Sequence, residues 1–277
     1  MKAARKLLLP ALGAAAVAGA AVYLIAPARA RKEQKAPFLG ANIAHRGLHT
    51  RDKSVPENSL AAFAAAVEHG YGVEFDVHIT ADGKLVVFHD DSLQRVCGVN
   101  LCIDDLTWEQ LQQYTLAGTE QRIPLLSEVL EVIGGKVPIV LELKRGRRND
   151  ALCEGVYQAL RTYSGPICIE SFDPRLVRWW YKHAPEMLRG QLSNPAADFK
   201  GELKSPAAWV LSHLLTNFLC RPQFIAYGIE GGKKPLTVRL CEALGAMKVC
   251  WTSHDPVNEN GNDTVIFEFY RPRRKFR

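Results

Sequence analysis

The sequence predicts an eight-stranded parallel α/β barrel, and three observations support this fold class. Eight short runs rich in β-branched and apolar residues alternate with longer amphipathic stretches, which is the pattern of βα units around a parallel sheet. Polar and charged residues recur at the ends of these runs, where barrel enzymes place their active sites. The 277 residues, 47% of them hydrophobic, can form one large core, and a barrel of about 250 residues would use nearly all of them.

The predicted barrel strands follow in chain order, separated by stretches with helical periodicity. A ninth run, Leu85–His89, follows the second strand across TADGK. Its Asp-Gly pair is typical of a hairpin turn, so this run should pair antiparallel as an addition to the barrel. The eight barrel runs are Asn42–Ala44, Gly72–Ile79, Pro138–Leu143, Pro166–Ser171, Leu188–Leu192, Phe224–Gly228, Lys248–Trp251 and Val265–Phe269.

The first predicted barrel helix has clear end signals. It begins with Asn58 or Ser59 as the N-cap and ends at Gly70, a typical residue to follow a helix. Between His89 and the third barrel strand lies an insertion with helical content, which includes LTWEQLQQY and IPLLSEVLEVIGG. The sequence therefore predicts a barrel with a small insertion after the second strand.

Residues 205–222 form an unusually apolar segment, because their large side chains cover more than one helical face. One interpretation is a lip that meets lipid or a membrane near the active site. The other, which we favour, is a helix packed under a neighbouring loop.

Residues 1–36 are predicted to form a membrane anchor with a basic linker, and residues 37–277 the barrel domain. Leu7–Ala26 is an uncharged run close to the roughly twenty residues needed to cross a bilayer. Basic residues flank the run on both sides, so this single-pass helix has no clear orientation, and the side of the membrane on which the domain lies stays open. A signal peptide is one alternative, because Ala28-Arg29-Ala30 resembles a cleavage site, although the basic cluster behind it argues against cleavage. A buried helix of a soluble protein is a second, disfavoured because nothing polar marks a second face.

The net charge of +6 comes from the two ends of the chain. Residues 36–270 hold 23 Lys and Arg against 28 Asp and Glu, so the central region is mildly acidic. Nucleic-acid binding would require a basic stripe across the domain, whereas basic ends beside an apolar segment suit an anionic membrane surface. The seven cysteines lack the spacing of a metal finger or a disulfide framework, which favours a role as small core residues.

Three carboxylates at strand ends predict a metal site. Glu74 and Asp76 are two residues apart on one strand, so both side chains point into the barrel, and Glu142 ends another strand. Converging carboxylates repel one another unless they share a proton or bind a divalent cation, and oxygen ligands favour Mg²⁺ or Ca²⁺. The alternative is a cluster of salt bridges with Arg46 and Lys144.

Two histidines at strand ends predict proton-transfer chemistry beside this cluster. His45 follows the first strand and His89 ends the hairpin. Imidazole titrates near neutral pH, so the pair suits a general acid and a general base. Arg46 and Lys144 add positive charge, and a metal with these two cations would stabilise a phosphate in its transition state. The combination meets the requirements for cleaving a phosphodiester.

These residues lie in segments that resemble the glycerophosphodiester phosphodiesterases, a family related in fold to phosphatidylinositol-type phospholipases C. The resemblance covers roughly residues 41–270. It is carried, in the order of the family, by HRG, PENS, EFDVHITADGKLVVFHD, DLTWEQL, IPLLSEVL, LELK, SFDP and WTS.

The resemblance implies a TIM-type (β/α)8 barrel and hydrolysis of glycerophosphodiesters to glycerol 3-phosphate and an alcohol. It also implies roles for the site residues: His45 and His89 as acid–base histidines, Glu74, Asp76 and Glu142 as metal ligands, and Arg46 and Lys144 as phosphate-binding cations. Glu57 would lie beside the site. Trp251, at a strand end, could pack against the glycerol or the leaving group, and core packing is the alternative.

Two other functions stay open at this point. One is a phospholipase that acts on (lyso)phospholipids at the membrane through the segment 205–222. The other is a non-catalytic phosphate-binding module, which is disfavoured because every expected site position is filled. His78 shares the inward face of its strand with Asp76 and could line the pocket, but a structural role is favoured.

Overall fold

The computed structural model describes residues 18–199, 203–229 and 234–277. Eight parallel strands close into a barrel, because the first strand pairs with both the second and the last. The predicted fold class is therefore confirmed. The barrel strands are β1 (Ala41–Ala44), β2 (Gly72–Ile79), β4 (Ile139–Leu143), β5 (Ile167–Ser171), β6 (Leu188–Ser193), β7 (Phe224–Gly228), β8 (Met247–Ser253) and β9 (Thr264–Phe267).

The predicted hairpin after β2 is also confirmed. Strand β3 (Leu85–Val87) pairs antiparallel with the end of β2 and lies outside the barrel. Gly83 has a φ of 82°, the left-handed conformation that an Asp-Gly turn requires. The insertion that follows has a small core of its own, which includes Phe88, Leu93 and Ile103.

Helices surround the barrel, and several have the ends that the sequence predicts. Helix α3 is capped by Ser59, whose side chain accepts a hydrogen bond from the Ala62 N–H, and it ends at Gly70 with a φ of 72°. The helices are α1 (residues 18–25 of the described chain), α2 (Lys32–Lys35), α3 (Leu60–His69), α4 (Gln94–Cys97), α5 (Trp108–Leu111), α6 (Leu126–Ile133), α7 (Asn149–Leu160), α8 (Pro174–His183), α9 (Ser205–Ser212), α10 (Asn217–Cys220) and α11 (Leu236–Ala243).

Inside the barrel, apolar side chains of β4 to β7 lie at the level of Glu74, and more carboxylates follow at the next level. Val140, Cys168, Leu188 and Phe224 belong to one buried cluster inside the barrel. Two residues further along β2, β4 and β5, the strand register brings carboxylates side by side: Asp76 is opposite Glu142, which is opposite Glu170. The carboxyl ends of these three strands therefore carry a row of acidic side chains.

The N-terminal segment contacts the barrel near α10. Ile25 is 2% exposed, the Asn217 side-chain amide donates to its carbonyl at 3.1 Å, and Arg221 Nη1 donates to the Tyr23 carbonyl at 2.9 Å. None of the helices in the described parts of the chain is both long and apolar enough to cross a bilayer. Most of the predicted membrane segment, residues 7–17, lies outside the described residues.

Candidate active site

The carboxyl ends of the barrel strands open into a cavity of about 920 Å³. Most of the predicted site residues line it. They are His45, Arg46, Glu74, His89, Glu142, Lys144 and Trp251. Asp76 is buried and paired with Lys144, and Glu57 contacts Arg46. The fold thus brings together every site residue that the sequence predicts.

Glu74, Asp76 and Glu142 form a compact carboxylate cluster. Each offers one oxygen, and these oxygens lie within 4.8 Å of one another. Burial, together with repulsion from Asp76, raises the pKa of Glu74 well above its ordinary value, and burial also raises the pKa of Glu142. Glu74 and Glu142 are therefore held where their negative charges are unfavourable without a cation.

Lys144 and Arg46 provide part of the compensating charge. Lys144 Nζ lies 3.0 Å from Glu142 Oε1 and 3.3 Å from Asp76 Oδ1. Burial would raise the pKa of Asp76, but the charge of Lys144 holds it far below its usual range. These ion pairs agree in part with the salt-bridge alternative. Glu74 is different, because its contacts are the Arg46 N–H at 3.0 Å and His45 Nε2 at 3.9 Å.

Arg46 is held by its backbone and by Glu57. Its φ of 51° lies in the left-handed region, and its N–H donates to Glu74 while Nη1 donates to Glu57 Oε1 at 2.7 Å. Its Nε is buried and has no hydrogen-bond partner among the described residues, and Asp76 Oδ2 lies 3.8 Å from it. An oriented and unsatisfied donor therefore remains beside the cluster.

His45 is fixed by Glu268, a residue that the sequence reasoning missed. Nδ1 of His45 lies 3.2 Å from Glu268 Oε1, and Nε2 of His49 lies 2.9 Å from the same oxygen. Burial and the neighbouring Arg46 lower the pKa of His45 to about 4, although Glu268 opposes this shift. His45 is therefore neutral at pH 7. The sequence did contain one signal for Glu268, which is a carboxylate directly after the last barrel strand.

His89 is held by a second carboxylate on the opposite side of the site. Its Nδ1 lies 2.5 Å from Asp90 Oδ1. Arg95, from α4 in the insertion, donates to both Asp90 and Glu57 at distances of 2.7 to 3.0 Å. Because Glu57 in turn holds Arg46, one arginine links the surroundings of His89 and Arg46. The sequence reasoning missed Arg95, which gives no strand-end signal.

Asn58 is a further site residue that was considered only as a helix cap. It has a φ of 54°, and its side-chain amide donates to Asp76 Oδ2 at 2.9 Å. The cap of α3 is its neighbour Ser59. Asn58 therefore fixes the orientation of a cluster carboxylate, a role that only the folded structure reveals.

Two of the remaining predictions concern His78 and Trp251. His78 is 3% exposed, its Nε2 lies 3.3 Å from the His89 carbonyl, and it does not belong to the cavity lining, which agrees with the favoured structural role. Trp251 lines the cavity and packs edge-on against Phe172 with 5.5 Å between ring centroids. It is thus a wall residue of the site and also part of the packing around it.

Comparisons with known proteins agree with this geometry. The model of the glycerophosphoryl diester phosphodiesterase family matches residues 45–270. A glycerophosphodiester phosphodiesterase of Caldanaerobacter subterraneus is 37% identical over 162 residues, which cover 54% of this chain and 65% of that protein. The lysophospholipase D GDPD1 of Rattus norvegicus is 35% identical over 150 residues, covering 50% and 46%. The chain thus spans about half to two thirds of the length of these relatives.

Solved structures share the fold over most of the chain. A phosphodiesterase of Oleispira antarctica in complex with sn-glycerol-3-phosphate superimposes with a TM-score of 0.67 at 24% identity, covering 83% of this chain and 93% of that one. A glycerophosphodiester phosphodiesterase of Parabacteroides distasonis gives 0.62 at 26% identity with the same coverage. Since the family model matches most of the chain and the residues of its motifs meet in one cavity, the chain belongs to the glycerophosphoryl diester phosphodiesterase family.

Proposed function

We propose that the protein is a metal-dependent hydrolase that converts glycerophosphodiesters to glycerol 3-phosphate and an alcohol. The observation that carries the proposal is the meeting of Glu74, Asp76 and Glu142 with His45 and His89 around one cavity. Family membership supports the substrate class. The structural neighbour from Oleispira antarctica, which is bound to sn-glycerol-3-phosphate, supports the identity of the product.

The carboxylate cluster fits a divalent cation. Its ligand atoms are all carboxylate oxygens, which Mg²⁺ and Ca²⁺ prefer. Among the described residues, His45 is the side chain at ion-pair distance from Glu74, and its imidazole is neutral at pH 7. Glu74, Asp76 and Glu142 would hold the ion. When bound, a divalent cation supplies positive charge that stabilises phosphate oxygens.

Arg46 and Lys144 are proposed to bind the phosphate from the protein side. Both line the cavity. The part of the chain that the structure describes offers no acceptor to the buried Nε of Arg46, and a phosphate oxygen could serve as one. Lys144 is held charged by Glu142 and Asp76, which keep its pKa above the ordinary value against the effect of burial. Glu57 holds Arg46 in place, and Trp251 is proposed to contact the organic part of the substrate.

His45 and His89 are proposed to carry the protons of the reaction. In the net reaction, the oxygen of water bonds to phosphorus, the bond from phosphorus to the alcohol oxygen breaks, and that oxygen takes a proton. One histidine accepts the proton of the attacking oxygen and the other donates to the leaving alcohol. Glu268 and Asp90 would orient the two rings through their contacts with Nδ1.

We further propose that residues 1–36 anchor the domain 37–277 to a membrane. The contacts of residues 18–28 argue against a cleaved signal peptide, and they place Tyr23 and Ile25, which belong to the predicted span, against the barrel. Cleavage after Ala30 would remove the buried Ile25 side chain and the hydrogen bonds that Asn217, Arg221 and Ala28 make in this region. A retained segment keeps them.

The test is an assay of glycerol 3-phosphate release from glycerophosphocholine, glycerophosphoethanolamine and glycerophosphoglycerol, each with EDTA, Mg²⁺ or Ca²⁺. We expect EDTA to abolish activity and a divalent cation to restore it. His45→Ala and His89→Ala should each lower kcat by roughly 10²- to 10⁴-fold, the usual effect of removing a general acid or base. His183→Ala, at an exposed position on α8, is the matched control. Activity insensitive to both EDTA and the two substitutions would contradict the mechanism.

A further inference from the structure

The end of the barrel opposite the catalytic cavity is closed by apolar side chains. Phe38 is buried there in one cluster with Ala41, Phe224 and Met247, which begin β1, β7 and β8. None of these four residues lines the cavity, which lies at the carboxyl ends of the strands. We call the closed end the basal face, and it comprises residues 29–40 and 272–277 with the turns that precede β2, β6, β7 and β9.

The basic linker lies on the basal face. In α2, the side-chain amide of Gln34 donates to the carbonyl of Glu186, just before β6, and accepts from Gln223, directly before β7. The Ala28 N–H donates to the Pro222 carbonyl at 3.0 Å. The linker and the residues that lead into it therefore meet the barrel at the amino ends of its strands.

The C-terminal segment reaches the same end of the barrel. Ala41 and Lys275 form an antiparallel bridge, and the Phe276 N–H donates to the Gly40 carbonyl at 2.8 Å. Arg277 Nη1 donates at 3.0 Å to Oδ1 of Asp263, directly before β9. The two ends of the domain, which are far apart in sequence, are therefore neighbours on the basal face.

Seven exposed basic residues come together in this way. They are Arg29, Arg31, Lys32, Arg273, Arg274, Lys275 and Arg277. Of the exposed acidic residues in the described ranges, Glu33, Glu68 and Glu186 lie beside them. Arg277 pairs with Asp263, and none of the other six forms an ion pair with a described residue. The basal face therefore carries positive charge that the described chain does not neutralise.

The cavity end of the barrel has the opposite charge balance. Among the described residues, the cavity lining has seven acidic side chains against four Lys and Arg. Segment 205–222, one interpretation of which is a lip that meets lipid, is described in full. Its Val210 and Leu211 line the cavity, and Trp209 is its one large apolar side chain that is exposed. The cavity end is therefore a poor match for an anionic membrane.

We propose that the basal face docks on the surface of an anionic lipid bilayer, so that the catalytic cavity opens away from the membrane into water. Each Lys or Arg near such a surface contributes roughly a five-fold gain in affinity. Docking goes beyond the proposed hydrolysis, and it uses the proposed anchor only to bring this face to the bilayer.

The end of the predicted membrane segment lies at the same face. The carbonyls of Tyr23 and Ala26 both accept from Arg221 Nη1 at 2.9 Å, shortly before β7. An anchor that leaves the domain at this point holds the basal face towards the bilayer. The docked protein would therefore take its diester from the water and not from the bilayer on which it lies.

The experiment is hydrogen–deuterium exchange with mass spectrometry on the full chain in nanodiscs. The discs contain phosphatidylcholine alone or phosphatidylcholine mixed with phosphatidylglycerol. We expect peptides from 29–40 and 271–277 to exchange more slowly in the anionic discs, and peptides from 50–55 and 145–149, at the cavity end, to exchange equally in both. The difference should be lost between about 0.1 M and about 1 M salt, because the Debye length falls from about 10 Å to about 3 Å.

Charge reversal tests the basic residues directly. A basal variant, which should abolish the difference between the discs, combines Arg273→Glu, Arg274→Glu and Lys275→Glu. The matched control reverses three exposed charges at the cavity end and should keep the difference, and it combines Arg51→Glu, Lys53→Glu and Arg147→Glu. Both variants should release glycerol 3-phosphate from soluble glycerophosphocholine at the rate of the unaltered chain. If the basal variant does not fold, Arg273→Glu alone should reduce the difference.

Equal exchange of the basal peptides in the two kinds of disc, or slower exchange at the cavity end, overturns the proposal. So does a difference that the control variant removes as fully as the basal variant. Protection of the basal peptides by duplex DNA but not by the anionic discs would assign the face to nucleic acid and also overturn it.

Failure of the other two proposals has separate signs. Without an anchor, the chain would elute apart from the neutral discs, and the basal peptides would still be protected only in the anionic discs. Without the proposed hydrolysis, the release assay would give no product whatever the exchange pattern.

Discussion

At the scale of single residues, the site contains carboxylates whose pKa values are shifted in opposite directions. Burial raises the pKa of Glu142, whereas hydrogen bonds from His45 and His49 lower the pKa of Glu268 against the effect of burial. The charge of Glu142 is thus compensated only in part, by Lys144, whereas the carboxylate of Glu268 contacts two imidazoles. The same residue type is therefore proposed to bind a cation in one place and contacts histidines in the other.

We predict that Glu142→Gln raises the Mg²⁺ concentration needed for half-maximal activity by on the order of 100-fold, because it removes one charged ligand. The measurement is a Mg²⁺ titration of glycerol 3-phosphate release. Glu170→Gln is the matched control, since Glu170 is opposite Glu142 in the strand register and lies outside the three-carboxylate cluster, and burial raises its pKa well above the ordinary value. It should keep the Mg²⁺ requirement of the unaltered protein. Equal shifts in both variants would contradict a cation held by the three-carboxylate cluster.

At the scale of elements, the insertion is connected to the catalytic face through α4. Arg95 is the residue that makes this connection, with hydrogen bonds to Glu57 and Asp90. Burial alone would raise the pKa of Glu57, but the hydrogen bonds from Arg95 and the charge of Arg46 lower it to about 2. The insertion thus positions side chains of two different loops, because Glu57 follows β1 and Asp90 follows β3.

We predict that Arg95→Ala lowers kcat by roughly ten- to a hundred-fold with a smaller effect on KM, because His89 and Arg46 lose a shared support. Arg95→Lys should recover only part of kcat, since an ammonium cannot reproduce the paired N–H donors of a guanidinium. Steady-state kinetics and thermal unfolding of each variant provide the measurement. Arg147→Ala, which breaks an exposed pair with Asp105, should leave both kcat and the unfolding temperature unchanged. If Arg95→Ala changes only the unfolding temperature, its role is structural.

At the scale of the whole molecule, barrel closure joins residues from the two ends of the domain. His45 follows β1 and Glu268 follows β9, and the two strands pair in parallel, so the carboxylate of one reaches the imidazole of the other. The N-terminal segment then adds contacts at Asn217 and Arg221 on one side of the barrel. The proposed anchor is therefore continuous with the catalytic domain through packed residues.

We predict that the full chain sediments with membranes and stays there after alkaline carbonate extraction, whereas a chain of residues 18–277 is released. The shortened chain keeps residues 18–28, so its unfolding temperature and its activity on soluble diesters should match those of the full chain. Fractionation followed by immunoblotting makes the measurement. A mature N-terminus directly after Ala30, or full-length chain in the carbonate supernatant, would contradict the anchor.

The sequence alone was sufficient to predict the barrel, its hairpin and most residues of the candidate site. Strand periodicity placed Glu74 and Asp76 on one inward face, and the strand ends identified His45, His89 and Glu142, because in parallel barrels these positions converge. Resemblance to the family then provided the substrate class. All of these signals are local in the chain.

Only the tertiary structure identified Glu268, Arg95 and the cavity face of α9. Their roles depend on which distant residue each one meets: Glu268 meets His45 across the β1–β9 closure, and Arg95 meets Glu57 across the insertion. The apolar residues of α9 looked alike in sequence, whether they faced the cavity, the barrel or solvent. Hydrophobicity and spacing determine that a helix has several apolar faces, but only packing against the barrel decides which of these faces lines the cavity.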